Sequence, residues 1–137
     1  MRVTPSSPPL GIPLRAWRLA FLACLIAVLV LSLIPPGPDM PTTGWDKTNH
    51  LFGFVVLTLL GCWSYPGRYR AVLPALLAFG GLIECLQSLT PYRFAEWGDL
   101  LADGIGILLG CLLLALSVAW NRRRGAHAPS RPKGPRN

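Results

Sequence analysis

The sequence predicts an all-α protein, a four-transmembrane-helix bundle with both termini cytoplasmic. Three observations carry this. Of 137 residues, 52% are hydrophobic and only 14% charged, where a soluble domain carries about 25% charged residues. The hydrophobic residues gather in four blocks of helix length. The basic residues fall almost entirely on one side of the loops that these blocks create. An ordinary soluble domain and a disordered chain are excluded. So is a large enzyme with a separate catalytic domain, because little sequence lies outside the blocks.

A helix needs about 20 mostly apolar residues to cross a hydrocarbon core about 30 Å thick. The first block spans residues 16–34, with a single charge, Arg18, near its start. It is longer than the apolar core of a cleaved signal peptide, and Leu33-Ile34-Pro35-Pro36 offers no small-residue cleavage site, so it reads as a retained helix. The second block, residues 50–65, is short, but a polar lead-in from Asp46 extends it. The third spans residues 71–90 and holds Glu84 and Gln87; the fourth spans residues 99–120 and holds Asp103. Strands are excluded, because the blocks are long, Leu-rich and without alternation.

Orientation follows from charge, since cytoplasmic loops collect Lys and Arg. Arg2, Arg15, Arg18, Arg68, Arg70, Arg122, Arg123, Arg124, Arg131, Lys133 and Arg136 share one side; only Lys47 and Arg93 fall on the other. All six acids, Asp39, Asp46, Glu84, Glu96, Asp99 and Asp103, lie on the outward side or in outer helix halves. Trp17, Trp63 and Trp120 fall at the inner boundary and Trp45 and Trp97 at the outer, where indole rings prefer to sit. The net charge of +7 is therefore a topology signal. No nucleic-acid partner is expected, because the basic tail lacks interleaved aromatics. The bilayer is the expected partner, with anionic lipid holding the tail. The expected location is a cell membrane, crossed several times, of the bacterial inner-membrane kind.

Residues 1–15 form an expected disordered basic segment, residues 16–120 the transmembrane domain and residues 121–137 a disordered basic tail. The first outward loop, rich in proline, is expected to be extended. Cys24, Cys62, Cys85 and Cys111 sit one per block with no C-x-x-C spacing, and read as small packing residues. No internal repeat is visible, and nothing in the chain specifies an oligomeric state.

The informative residues are those that hydrocarbon rejects. A carboxylate at the centre of a spanning helix costs about 2.5–3.5 kcal/mol. At about 1.5 Å per residue, Glu84 lies roughly 9 Å below the outer surface and Asp103 roughly 6–9 Å. An outer shell holds Asp46, Lys47, His50, Gln87, Arg93 and Asp99. Glu84 and Gln87 share a helix face at i, i+3, Asp99 and Asp103 at i, i+4, and Asp46 and His50 again at i, i+4. The face of Asp99 and Asp103 continues through Gly106 and Gly110, a spacing that admits close helix approach. Three polar faces thus converge on an outward-opening pocket. Arg93, the only basic residue of the third loop, is the expected counter-charge for Asp99 or Glu84.

Three segments in order resemble one family. Asp46-Lys47-x-x-His50-x-x-x-Phe54 resembles the opening motif of the VanZ-like membrane proteins. Glu84-x-x-Gln87-x-x-x-Pro91-x-Arg93, followed by Asp99, resembles their second signature, and Asp103-x-x-Gly106-x-x-x-Gly110 their closing segment, where Asn is usual in place of Asp103. The resemblance covers about residues 17–120. It implies the fold and topology above, and a tie to glycopeptide resistance, since the family's namesake is an accessory factor that lowers susceptibility to teicoplanin.

The expected function is an envelope factor that binds an outward ligand, a lipid headgroup or a cell-wall precursor. The candidate binding residues are Asp46, Lys47, His50, Glu84, Gln87, Arg93, Asp99 and Asp103. Lys47 and Arg93 would grip phosphate or carboxylate, and Trp45, Tyr92 and Trp97 would form an apolar rim. The alternative is a membrane-embedded enzyme acting through His50, Glu84, Asp99 and Asp103, in which neighbouring carboxyls titrate apart and divide acid and base roles. A divalent ion held by those four residues is a variant of that reading. No motif calls for a cofactor or a metal: Ser-His-Asp and H-E-x-x-H arrangements are absent. A proton pathway fits poorly, because the inner helix halves are almost wholly apolar.

Overall fold

A computed structural model describes residues 11–35 and 45–126, apart from the side chains of residues 45, 46, 125 and 126. The expected extended loop, Asp39, the Asp46 side chain and most of both expected disordered ends lie outside the described residues. Four helices follow in order: α1 (Leu14–Leu33), α2 (Trp45–Ser64), α3 (Tyr69–Ser88) and α4 (Trp97–Ala126). The described residues contain no strand.

Local sequence accounts for the helix ends. Ile34 turns to extended backbone, φ −69° and ψ 136°, because a residue before proline avoids the helical region and Pro35 follows. The α2–α3 turn contains Gly67 at φ +78°, which glycine adopts without steric penalty. Asp99 lies in the first turn of α4, where its charge complements the helix dipole. The helix runs past residue 120 through Arg122, Arg123 and Arg124, so the start of the basic tail is helical.

Helices α1, α3 and α4 are long and apolar enough to cross a membrane. Helix α2 has 20 residues but begins Trp45-Asp46-Lys47-Thr48-Asn49-His50, and this polar start lowers its hydropathy. Helix α2 packs against all three other helices, most extensively against α4. Glycine permits that closeness. A Cβ on Gly106 would lie 2.5 Å from the Leu51 carbonyl oxygen and 2.9 Å from Phe54 Cβ, and one on Gly110 would lie 2.7 Å from Thr58 Cβ. The glycine face of the fourth helix is thus its packing face. Phe54, Leu57, Leu76, Ile83 and Ile107 fill the core around this seam.

Burial is the reverse of a soluble domain. Leu19, Leu31 and Leu108 are 67–69% exposed, while Asp103 is fully buried and Gln87 and His50 nearly so. Many aliphatic side chains face outward while Glu84, Asp99 and Asp103 face inward, an arrangement suited to a hydrocarbon solvent.

Candidate functional site

The buried ionisable residues, His50, Glu84, Asp99 and Asp103, collect at one end of the bundle, where α2 and α4 begin and α3 ends. Helix α2 supplies Lys47 and His50, α3 supplies Glu84 and Gln87, and α4 supplies Asp99 and Asp103. The i, i+4 spacing of Asp99 and Asp103 presents both to α2, because the glycine face just below them draws the two helices together.

Asp103 is the deepest. Its Oδ1 lies 2.9 Å from His50 Nδ1, and its carboxyl rests against Gly80 of α3, where any Cβ would collide with it. His50 is stacked in parallel with the Phe54 ring, 6° between planes and 6.5 Å between centroids. Contacts above and beside it thus fix the imidazole. His50, Glu84 and Asp99, all buried, each offer one donor atom within 4.8 Å of the others. Glu84 Oε2 accepts a 2.8 Å hydrogen bond from the Glu96 backbone N–H. Its other oxygen is buried and makes no hydrogen bond among the described residues, and the same holds for Asp103 Oδ2.

The cluster is closed at its rim by Lys47, whose ammonium pairs with the Glu96 carboxylate and lies 3.4 Å from Asp99 Oδ1. The Lys47 chain crosses Gly98, which has no side chain to block it. Lys47 is therefore a counter-charge to Asp99, a role that the sequence suggested for Arg93 toward Asp99 or Glu84. A long side chain at the start of α2 reaches Asp99 because α2 and α4 are so close.

Gln87 and Arg93 turn the other way, toward the end of α1. Gln87 Nε2 donates to the Ser32 carbonyl at 2.9 Å, Tyr92 Oη to that of Leu33 at 3.3 Å and Arg93 Nη2 to that of Ile34 at 3.3 Å. The last carbonyls of a helix have no partner within it, and these three donors satisfy consecutive ones. The eight candidates thus divide. Lys47, His50, Glu84, Asp99 and Asp103 form one cluster; Gln87 and Arg93 hold α1 beside it; the Asp46 side chain lies outside the described residues.

Two contributors escaped the sequence reading. Glu96 stood among the outward acids but outside the candidate site, yet it binds Glu84 through its backbone and Lys47 through its side chain. Its position three residues before Asp99, one turn upstream on the same side, was the available signal. Gly80 stands one turn deeper than Glu84, at the depth already assigned to Asp103, and depth matching finds it.

Beside the cluster, a cleft of about 390 Å³ opens between the end of α3 and the start of α4. Gly81, Cys85, Trp97 and Leu100 make its wall mostly apolar, and Glu84 and Glu96 border it. Trp97 and Phe94 are more than 80% exposed at its mouth and on the adjoining loop. The four cysteines are free thiols, and Cys85 is the exposed one.

No solved structure matches the chain. An uncharacterised protein of Schizosaccharomyces pombe is 36% identical over 116 residues, covering 80% of this chain and 69% of that one. The sequence model of the VanZ/LLP1 family matches residues 40–118, a stretch that contains every residue of the cluster and more than half the chain, and the protein belongs to that family.

Proposed function

We propose that this protein is a four-span membrane protein of the cell envelope that binds the polar headgroup of an amphiphile at the cluster end, with the acyl or alkyl part lying in the α3–α4 cleft. In this reading α2 is the fourth span: in its polar start His50 is buried, while Thr48 and Asn49 are exposed at the end of the bundle. Both termini lie on the cytoplasmic side with most of the basic residues, and the cluster opens to the other side. The observation that carries the proposal is the cleft. Its volume lies within the range of small-molecule sites, about 300–1,000 Å³. Its wall is apolar and its border carries two carboxyls, one of them buried in the cluster.

The relative in a fission yeast favours a membrane lipid headgroup over a bacterial cell-wall precursor as the ligand. An effect on glycopeptide susceptibility would then be indirect, through the lipid. Lys47 is engaged by Glu96 and Asp99, so it serves the site as part of its rim. The second reading, an enzyme acting on an envelope lipid or precursor, is favoured by the His50–Asp103 pair. A ring nitrogen oriented by a carboxylate is the arrangement of a general base.

Labelling with a photoactivatable phospholipid tests the proposal. The reactive group should attach to residues 81–100 in wild-type protein, and Cys85→Trp, which fills the cleft without touching the cluster, should remove most of that labelling at an unchanged melting midpoint. Equal labelling of both proteins would refute the cleft as the binding place. Recovery of the lipid chemically altered, by mass spectrometry, would favour the enzyme.

A further inference from the structure

We infer that the cluster is a site for a divalent first-row metal ion, held by His50, Glu84 and Asp99 and oriented by Asp103. This deepens the headgroup proposal, since a bound cation would let an acidic end of the bundle accept a phosphate. It stands on its own geometry, however, and is tested with metal alone.

The spacing fits. Three donor atoms within 4.8 Å of one another enclose a point no more than about 2.8 Å from each, and closing to the 2.0–2.2 Å of metal bonds takes small side-chain rotations. The supporting contacts fit as well. A metal-bound histidine characteristically gives its other ring nitrogen to a carboxylate, which sets the tautomer and the ring's orientation. Asp103 does this at Nδ1, 2.9 Å away, which leaves Nε2 as the nitrogen to meet a cation. Asp103 is itself held by its close fit against Gly80.

An independent observation points to a ligand. Glu84 is more than nine-tenths buried, yet its Oε1 has no hydrogen-bond partner among the described residues, and Glu84 supplies one of the three convergent donors. A carboxylate oxygen in that state is costly in a low-dielectric interior. The charges agree: Glu84, Asp99 and Asp103 are buried together, and the ion pairs seen to these carboxyls among the described residues come from His50 and Lys47, the latter shared with Glu96. A divalent ion would add positive charge among three carboxyls. One imidazole with two carboxylates suits Mn²⁺, Fe²⁺ or Zn²⁺ better than the all-oxygen shells of Ca²⁺ and Mg²⁺. Three protein ligands leave a coordination position open to a phosphate oxygen or water.

The test is titration of chelator-stripped full-length protein in detergent with MnCl₂, following free Mn²⁺ by electron paramagnetic resonance, with Zn²⁺ added as competitor. Wild-type protein should bind one ion per chain. Glu84→Gln, which keeps an acceptor for the Glu96 N–H, and Asp99→Asn should each weaken binding about 100-fold. Asp103→Asn, in which the amide still reaches His50, should weaken it about tenfold while the stoichiometry stays at one. Arg122→Ala, at the far end of α4, should bind like wild type. Circular dichroism and size-exclusion profiles matching wild type establish that each variant is folded. Absence of saturable binding in wild-type protein, or wild-type affinity in folded Glu84→Gln or Asp99→Asn, would overturn the inference. Metal binding without lipid labelling would refute the headgroup reading alone, and labelling without metal binding would refute the metal site alone.

Discussion

Where α2 and α4 begin, helices meet through His50, Glu84, Asp99 and Asp103; at the opposite end of the bundle they meet through rings and aliphatic chains. There, Trp17 packs on Trp63 with centroids 4.9 Å apart, Phe21 meets Tyr65 edge-on at 6.1 Å, and Arg18 lies over the Tyr65 ring at 5.3 Å. Both ends are close-packed, but only one contains buried carboxyl oxygens without hydrogen-bond partners among the described residues. At the aromatic end the buried polar atoms without hydrogen-bond partners among the described residues are neutral ones, Trp17 Nε1 and Ser64 Oγ. The polar end carries more charge than cohesion requires. Buried ion pairs can often be replaced by apolar residues with no loss of stability. Their presence at one end and absence at the other is what the proposed binding role would account for.

The largest expected effect comes from the seam that joins both ends. Gly106→Leu would force a side chain into the Leu51 carbonyl, and overpacking of this kind costs about 3 kcal/mol. Thermal melts in detergent should show a large fall in midpoint, with losses at both ends. A fall in which the cluster keeps its metal affinity would mean that the polar end does not depend on α2–α4 contact. A smaller effect is expected at the aromatic end. Trp17→Leu removes a ring pair worth about 1 kcal/mol and should lower the midpoint without altering lipid labelling or metal affinity. A change in either would couple the two ends and break the contrast. The last effect is read in binding rather than stability. Lys47→Met removes a largely exposed pair with Glu96 and also a counter-charge of buried Asp99, so the midpoint should fall in metal-free protein and recover with added cation, while affinity for a cation should rise as a competing charge leaves Asp99. Unchanged or weakened cation binding would remove Lys47 from the rim of the site.

Much of this contrast was legible in the sequence. The i, i+4 spacing of Asp99 and Asp103, continued by Gly106 and Gly110, already put acids and close packing on one helix face, and the structure seats that face on α2. Helix count, order and approximate bounds followed from hydrophobic blocks and prolines. Partner choice was less legible, because it depends on helix rotation and separation, which no spacing encodes. Lys47 and Arg93 both sit near Asp99 in any reading of depth. Only the closeness of α2 and α4 gives the ion pair to Lys47, while the end of α1 draws Arg93 to Ile34. Gln87 looked like a ligand residue for its burial and its face. Its amide nitrogen binds the Ser32 carbonyl, a contact that appears only once α1 and α3 are packed, while its Oε1 is buried with no hydrogen bond among the described residues.

The most direct test of whether the polar end is a binding site rather than helix glue is to measure melting midpoint and phospholipid labelling together on Glu84→Gln. Glutamine keeps the shape and the acceptor for the Glu96 N–H but removes the buried charge. If the cluster binds a ligand, labelling should be lost while the midpoint stays level or rises, because an uncompensated buried charge has gone. Full labelling, or a midpoint lowered by several degrees with labelling falling only in proportion to the folded fraction, would contradict this and reduce the cluster to a structural joint.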